Sequence, residues 1–400
     1  MKRRTEILVL AIAFASYVLL GLPSGLLGVA WPSIRESFGL SLDAMGTMLT
    51  TVTIGHILSS FNRGRLIARF GAGALLMIGS ILMGASMLGY VMAPNWWSMV
   101  AFGLLLGLGS GTTDAGLNTY IAENYEARHM NWLHASFGIG VTIAPVIMTT
   151  VLNMGQSWRW GYALVVVLEA VLAACYALTR KLWRSAEPTS ARADPGLPTG
   201  KALSLHSLKL PIVWLGIVLF IMHPGIETVA GNWVYSLFTE ARSVAANTAS
   251  LWVSIYWGSL TVGRLVLGSV ADRLGVDRLL RVCIIGILLG SVLVWWNVAD
   301  PISFMGLALI GFGVAPLFPS MISSTPRWMG TAHAANAIGF QVAAAGVGIA
   351  LLPGFAGILA QKLGLEIIGS FLVGATIIML LMYEVLVYHG ARRPREKATL

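Results

Sequence analysis

Long apolar runs separated by short polar breaks fill the 400-residue chain. The runs predict helices at 6–31, 42–61, 72–93, 97–122, 131–153 and 160–180. They resume at 211–239, 247–270, 276–299, 302–324, 331–360 and 365–389. Each matches or exceeds the roughly 20 residues that a helix needs to cross a bilayer. The one long polar stretch, Arg180 to Lys209, contains Pro188, Pro195 and Pro198, and it reads as a cytosolic linker. The chain therefore divides into a six-helix bundle at 1–180, a linker at 181–210 and a second six-helix bundle at 211–400. The N-terminus runs Met1-Lys2-Arg3-Arg4 and then stays apolar from Ile7 to about Trp31. A signal-peptide core would be about half that length, so this segment reads as a retained first helix.

Composition narrows the class. Hydrophobic residues make up 56% of the chain and charged residues 11%, with a mean hydropathy of +0.78. That balance excludes a soluble enzyme, a disordered scaffold and a secreted disulfide framework. Cys175 and Cys283 both lie in apolar runs and read as reduced core thiols. A net charge of +9 would suggest nucleic acid in a soluble protein. No aromatic-interleaved basic patch or zinc spacing accompanies it, so no nucleic-acid partner is expected. The placement of Lys and Arg explains the charge instead. With both termini inside, all of the 26 basic residues except Arg35, Arg159, Arg242 and Lys362 fall on the cytosolic side. The expectation is an all-α polytopic membrane protein of twelve transmembrane helices, monomeric, with the lipid bilayer around it. The expected location is a bacterial inner membrane, with both termini cytoplasmic.

The halves are weakly self-similar at a spacing of 204 residues. Gly64-Arg-Leu-Ile-Ala-Arg-Phe-Gly71 aligns with Gly268-Ser-Val-Ala-Asp-Arg-Leu-Gly275, and Gly107-Leu-Gly109 aligns with Gly311-Phe-Gly313. Two parallel repeats predict pseudo-symmetric halves with a substrate site between them, near the bilayer midplane.

Gly268-Ser-Val-Ala-Asp272-Arg273-Leu-Gly275, preceded by Gly263-Arg264, matches the G-x-x-x-D-R-x-G loop signature of the major facilitator superfamily. The chain resembles that superfamily over essentially its whole length. The resemblance implies the major facilitator fold and a cytosolic gate clamped through Arg264, Asp272 and Arg273. The first-half copy carries Ala68 at the Asp position. Asp114-Ala-Gly-Leu-Asn118, Asn131-Trp-Leu-His134, Gly225-Ile-Glu227, Trp233 and Tyr256-Trp257 resemble the fucose–glucose–galactose symporter group. That implies a sugar or related solute. Helix 1 holds no acid past Glu6, unlike the proton-coupled fucose members.

Intramembrane charge is the sharpest signal. Of 17 acids, Asp114, Glu169, Glu227 and Glu384 fall within the apolar runs. A carboxylate there is costly and usually faces a cavity or a partner. Asp114 has Asn118 one turn later, and Gly103, Gly107 and Gly111 let another helix approach closely. Glu227 has His223 one turn earlier, with Pro224 expected to break the helix between them. Asp114 and Glu227 are the candidate proton-coupling groups, and an acid that only fixes helix packing is the alternative for each. Glu169 and Glu384 read as structural or interfacial acids. Asn118, Asn131, His134, Trp233, Tyr256, Asn336 and Gln341 are the candidate substrate-binding residues, with Trp31 and Trp257 as further aromatic walls. Rings can stack on sugar C–H faces while amides and acids take the hydroxyls. Each Trp has the competing reading of an interfacial belt residue, and His134 that of a satisfied core histidine.

No nucleotide loop, metal constellation or nucleophile–base motif is visible, so neither enzyme activity nor a cofactor is expected. The expected function is transport of a small-molecule substrate by alternating access, driven by a proton gradient in symport. Sodium coupling stays open, because carboxylates and freed carbonyls suit it too. Gly140-Val-Thr-Ile-Ala144-Pro145 is similar to a degraded antiporter signature and keeps proton-driven efflux of an amphipathic compound as the rival reading.

Overall fold

The computed structural model describes residues 2–61, 69–183 and 207–391. Within them the chain is helical throughout. The first half contains α1 (Lys2–Phe38), α2 (Ala44–Phe61), α3 (Ala72–Met92), α4 (Trp96–Asn124), α5 (Ala127–Asn153) and α6 (Arg159–Thr179). The second contains α7 (Pro211–Ser236), α8 (Ala246–Leu274), α9 (Val276–Trp296), α10 in two segments (Asp300–Val314 and Leu317–Met329), α11 (Thr331–Leu363) and α12 (Ile367–Ala391). Most of the linker expected at 181–210 lies outside the described residues, as do Gly64 to Ala68 of the first-half signature.

Ten of the described helical stretches are long and apolar enough to cross a membrane. The other two long helices are α2 and α8. Both carry many hydroxyls, including Thr47, Thr50, Thr51 and Thr53 on α2 and Ser250, Ser254, Ser259 and Thr261 on α8. Their packing explains this. α2 lies against α4 of its own half and α11 of the other. α8 lies against α10 of its own half and α5 of the other. Helices packed between the halves present less surface to lipid than an outer helix does, so they need less hydrophobicity.

The repeat is visible in the packing. α1 packs on α5 as α7 does on α11, α3 on α6 as α9 on α12, and α2 on α4 as α8 on α10. Close approaches repeat at the same spacing of 204 residues. Gly107 presses its Cα against the backbone of Val52 and Gly55, while Gly311 meets Tyr256 and Ser259. Gly109 meets Met83 and Gly79, while Gly313 meets Ile287 and Cys283. A Cβ at any of the four would collide with its neighbour, which is why the pair survives in both halves. Gly71 and Gly275, again 204 apart, open α3 and α9 with φ of 74° and 78°.

One expectation needs correction. Pro224 does not break α7, which runs unbroken from Pro211 to Ser236 and continues as a π-helical turn, Leu237–Ala241. Pro23, Pro32, Pro145 and Pro353 are likewise carried inside helices, because neighbouring helices and hydroxyls can satisfy the groups a proline frees. The break falls instead in the tenth span, at Ala315-Pro316.

Alternating directions put both chain ends on one face, here called the terminal face. Among the described residues, contacts between the halves gather toward the opposite, far face. Arg35 at the end of α1 pairs with Glu240 after α7. Asn153 donates to Asn247 at 2.5 Å, and the Leu42 amide donates to Gln361 Oε1 at 2.9 Å. Gly28 abuts Gly231, and Gly46 abuts Gly354. Of the four basic residues expected away from the cytosol, Arg35 thus joins the halves. Arg159 donates to the Val91 and Ala93 carbonyls, and Arg242 to that of Val294 and to Glu366. Those two guanidiniums cap the far ends of α3 and α9.

Candidate functional site

Three helices of the first half bring four polar side chains into one hydrogen-bonded chain. Tyr17 Oη on α1 donates to Asp114 Oδ1 on α4 at 2.7 Å. Asn118 Nδ2, one turn on, donates to the same oxygen at 3.0 Å. Asn118 Oδ1 lies 3.1 Å from His134 Nε2 on α5. With the amide nitrogen committed to the carboxylate, the amide oxygen must accept, so His134 Nε2 donates. The His134 ring stands edge-on to Tyr17, with centroids 5.4 Å apart. Asp114 Oδ2 accepts no hydrogen bond among the described residues. Asp114 and Asn118 are half-buried, while His134 and Asn131 are exposed, so the chain reaches open space. α2 holds α4 in place behind it, closing on Gly103, Gly107 and Gly111 as the spacing predicts.

The second half contributes a looser group. Glu227 on α7 lies 4.0 Å from His223 Nε2, and its side chain is 18% exposed. His223 itself is buried and its Nε2 is 3.0 Å from the Val314 carbonyl. Val314 ends the first segment of α10, where carbonyls lack helical partners, so His223 donates there and caps the break. Tyr256 Oη donates to the backbone carbonyl of Glu227 at 2.7 Å, not to its carboxylate. Glu227 is left with a carboxylate that accepts no hydrogen bond among the described residues.

Arg264 lies on α8, which packs on α5 of the first half with Thr261 against Gly138, one turn from Arg264 and His134 respectively. It stands as many residues into α8 as Asp114 stands into α4, and both helices start at the far face. The side chains of Asp272 and Arg273, expected beside it in a gate, lie outside the described residues.

Other candidates are placed elsewhere. Trp233 is fully buried, with its indole N–H donating to the Pro353 carbonyl at 3.0 Å. It ties α7 to α11. Gln341 is fully buried as well, and its Oε1 accepts from Thr325 at 2.9 Å, inside the second bundle. Tyr256, Trp31 and Trp257 are buried in helix packing, Trp31 against Trp96 and Trp257 against Gly231. Asn336 is half-buried on α11. These aromatics hold helices together and line no open wall. Glu384 forms a two-pronged ion pair with Arg281 at 2.5 and 2.7 Å, as a structural acid would. Glu169 is buried between α3 and α6, and neither oxygen has a hydrogen-bond partner among the described residues.

Sequence reading missed Tyr17. Its signal was a tyrosine in the middle of an apolar run, away from the interfaces where that residue usually sits. It supplies to Asp114 the polar partner in helix 1 that no acid there provides. The Arg35–Glu240 pair was also missed, because nothing in one helix end specifies its partner two hundred residues away.

A family model described as Major Facilitator Superfamily matches the chain twice, over residues 13–237 and 215–399. The glucose/mannose transporter GlcP of Bacillus subtilis (strain 168) is 22% identical over 301 residues, 73% of this chain and 73% of that protein. The solved structure of the nucleoside transporter NupG superposes with a TM-score of 0.74 at 14% identity, covering 96% of this chain and 99% of that one. That of a D-xylose-proton symporter does so with a TM-score of 0.72 at 15% identity, covering 93% and 97%.

Proposed function

The chain belongs to the Major Facilitator Superfamily, and on that premise we propose that it is a secondary active transporter of a small polar solute, a sugar or a closely related compound, working by proton symport. The observation that carries this reading is the Tyr17–Asp114–Asn118–His134 chain, which spans three helices and holds an intramembrane carboxylate by one oxygen. Oδ1 is fixed by two donors, so Oδ2 is the atom that takes the proton or a substrate hydroxyl. The exposed amide of Asn131, one turn before His134 on α5, offers a further donor. Glucose and mannose for one relative, and D-xylose with a proton for one structural neighbour, support a sugar.

In this reading the halves 1–180 and 211–400 rock about the site. The Arg35–Glu240, Asn153–Asn247 and Gly46–Gly354 contacts join the halves at the far face, and rocking would break them. Proton and solute bind together because an unneutralised Asp114 is costly to carry through the closed intermediate.

Proteoliposome transport tests this. Asp114→Asn should abolish accumulation under an imposed pH gradient and spare exchange of identical solute across the membrane. Normal accumulation by that variant would remove Asp114 from the coupling role. If neither neutral sugars nor sugar acids give exchange or accumulation with the unaltered protein, the substrate class is wrong.

A further inference from the structure

We infer that Arg264 is a binding site for an anionic group of the transported solute, so that the solute is a sugar acid or similar carboxylate and not a neutral sugar. The inference rests on the transport reading above and specifies its substrate. An arginine inside a membrane bundle normally pairs with an acid or with backbone carbonyls. Arg264 makes no hydrogen bond or ion pair with any described residue. It is half-buried in α8 at the depth of Asp114. Asp114 takes its hydrogen bonds from Tyr17 and Asn118, Glu227 has His223 at 4.0 Å, and neither forms an ion pair with Arg264.

α8 packs on α5 of the opposite half, with Thr261 against Gly138, and one turn further along the two helices stand Arg264 and His134. A guanidinium presents a planar fork that a carboxylate fills with two parallel hydrogen bonds. The hydroxyl-bearing remainder of the solute would then extend toward Asp114, Asn131 and His134 in the opposite half. A solute gripped at both ends would bridge the halves, as coupling to their rocking requires.

The test uses the full-length purified protein and four probes: D-gluconate, D-glucuronate, D-glucose and D-xylose. Binding is read by thermal shift and by competition in counterflow. The acids should bind at least about 10-fold more tightly than the neutral sugars, the ratio a single charge-assisted contact supports. Arg264→Gln should weaken acid binding by about 10- to 100-fold and leave neutral-sugar binding within a few-fold, and Arg264→Lys should recover part of the loss. If Arg264→Gln does not fold, the acid-over-neutral preference of the unaltered protein and the Arg264→Lys variant decide. Neutral sugars binding as well as the acids would overturn the inference and leave the transport reading standing. Equal loss for acids and neutral sugars in Arg264→Gln would overturn it too, because that is the signature of a gate residue. Failure of all four probes to bind would overturn both.

Discussion

The far-face closure can be opened by one methyl-bearing side chain. Gly46 on α2 and Gly354 on α11 belong to different halves, and a Cβ on Gly46 would stand 2.6 Å from the Gly354 Cα. Carbon atoms pack best at about 3.5–4.0 Å, so Gly46→Val requires the two backbones to part by about 1 Å or more. Overpacking of this kind costs about 1–3 kcal/mol. The contact exists only while the far face is closed, so the cost falls on that state alone. The ratio of far-open to far-closed molecules should rise by about 5- to 150-fold. Spin labels at Met154 and Val298, both exposed at the far face and in different halves, would report it by pulsed dipolar spectroscopy. The labelling background would lack Cys175 and Cys283. A second, longer distance should appear in Gly46→Val, weaker in Gly46→Ala. Gly374→Val is the control, because nothing lies within 4 Å of its added Cβ. Unchanged distances in Gly46→Val, or an equal change in Gly374→Val, would refute the reasoning.

Tyr17→Phe removes one charge-assisted donor from Asp114, a loss of about 1.5–3 kcal/mol at that contact, and proton-driven uptake should fall about 10- to 100-fold with folding intact by size exclusion. Trp233→Phe loses the bond to Pro353 and part of a buried ring, so it should lower stability by about 1–2 kcal/mol in thermal unfolding while substrate affinity stays within a few-fold. Glu384→Gln breaks a pair that is about 40% exposed on both sides, so transport and stability should change by less than about 1 kcal/mol, as initial rates and melting curves would show.

The all-helical, membrane-spanning class was legible in the chain because lipid imposes one rule on every span: backbone groups must be satisfied internally and side chains must be apolar. That rule acts residue by residue, so it is written locally. The repeat was legible for a similar reason. Gly107 and Gly311 mark close helix contacts that no larger residue permits, and those contacts recur in both halves. Asp114 and Asn118 stood out because a carboxylate in an apolar run has few bland explanations, and one helical turn puts both on one face.

The sequence could not distinguish aromatics that line a cavity from aromatics that close a helix interface. Trp233 and Tyr256 have the same composition signal either way, and only tertiary packing buries them. Proline position misled for the same reason. Pro224 is tolerated within α7, while the tenth span breaks at Pro316 and borrows His223 from α7 as its cap. Partner choice is the property that stays hidden. Tyr17, Arg35 and Arg264 are ordinary residues until three-dimensional proximity supplies, or withholds, an anion. Hydrophobicity is additive along a chain and determined what this protein is made of. Electrostatic pairing depends on distances between segments hundreds of residues apart, and only the folded halves decided which charges meet and which do not.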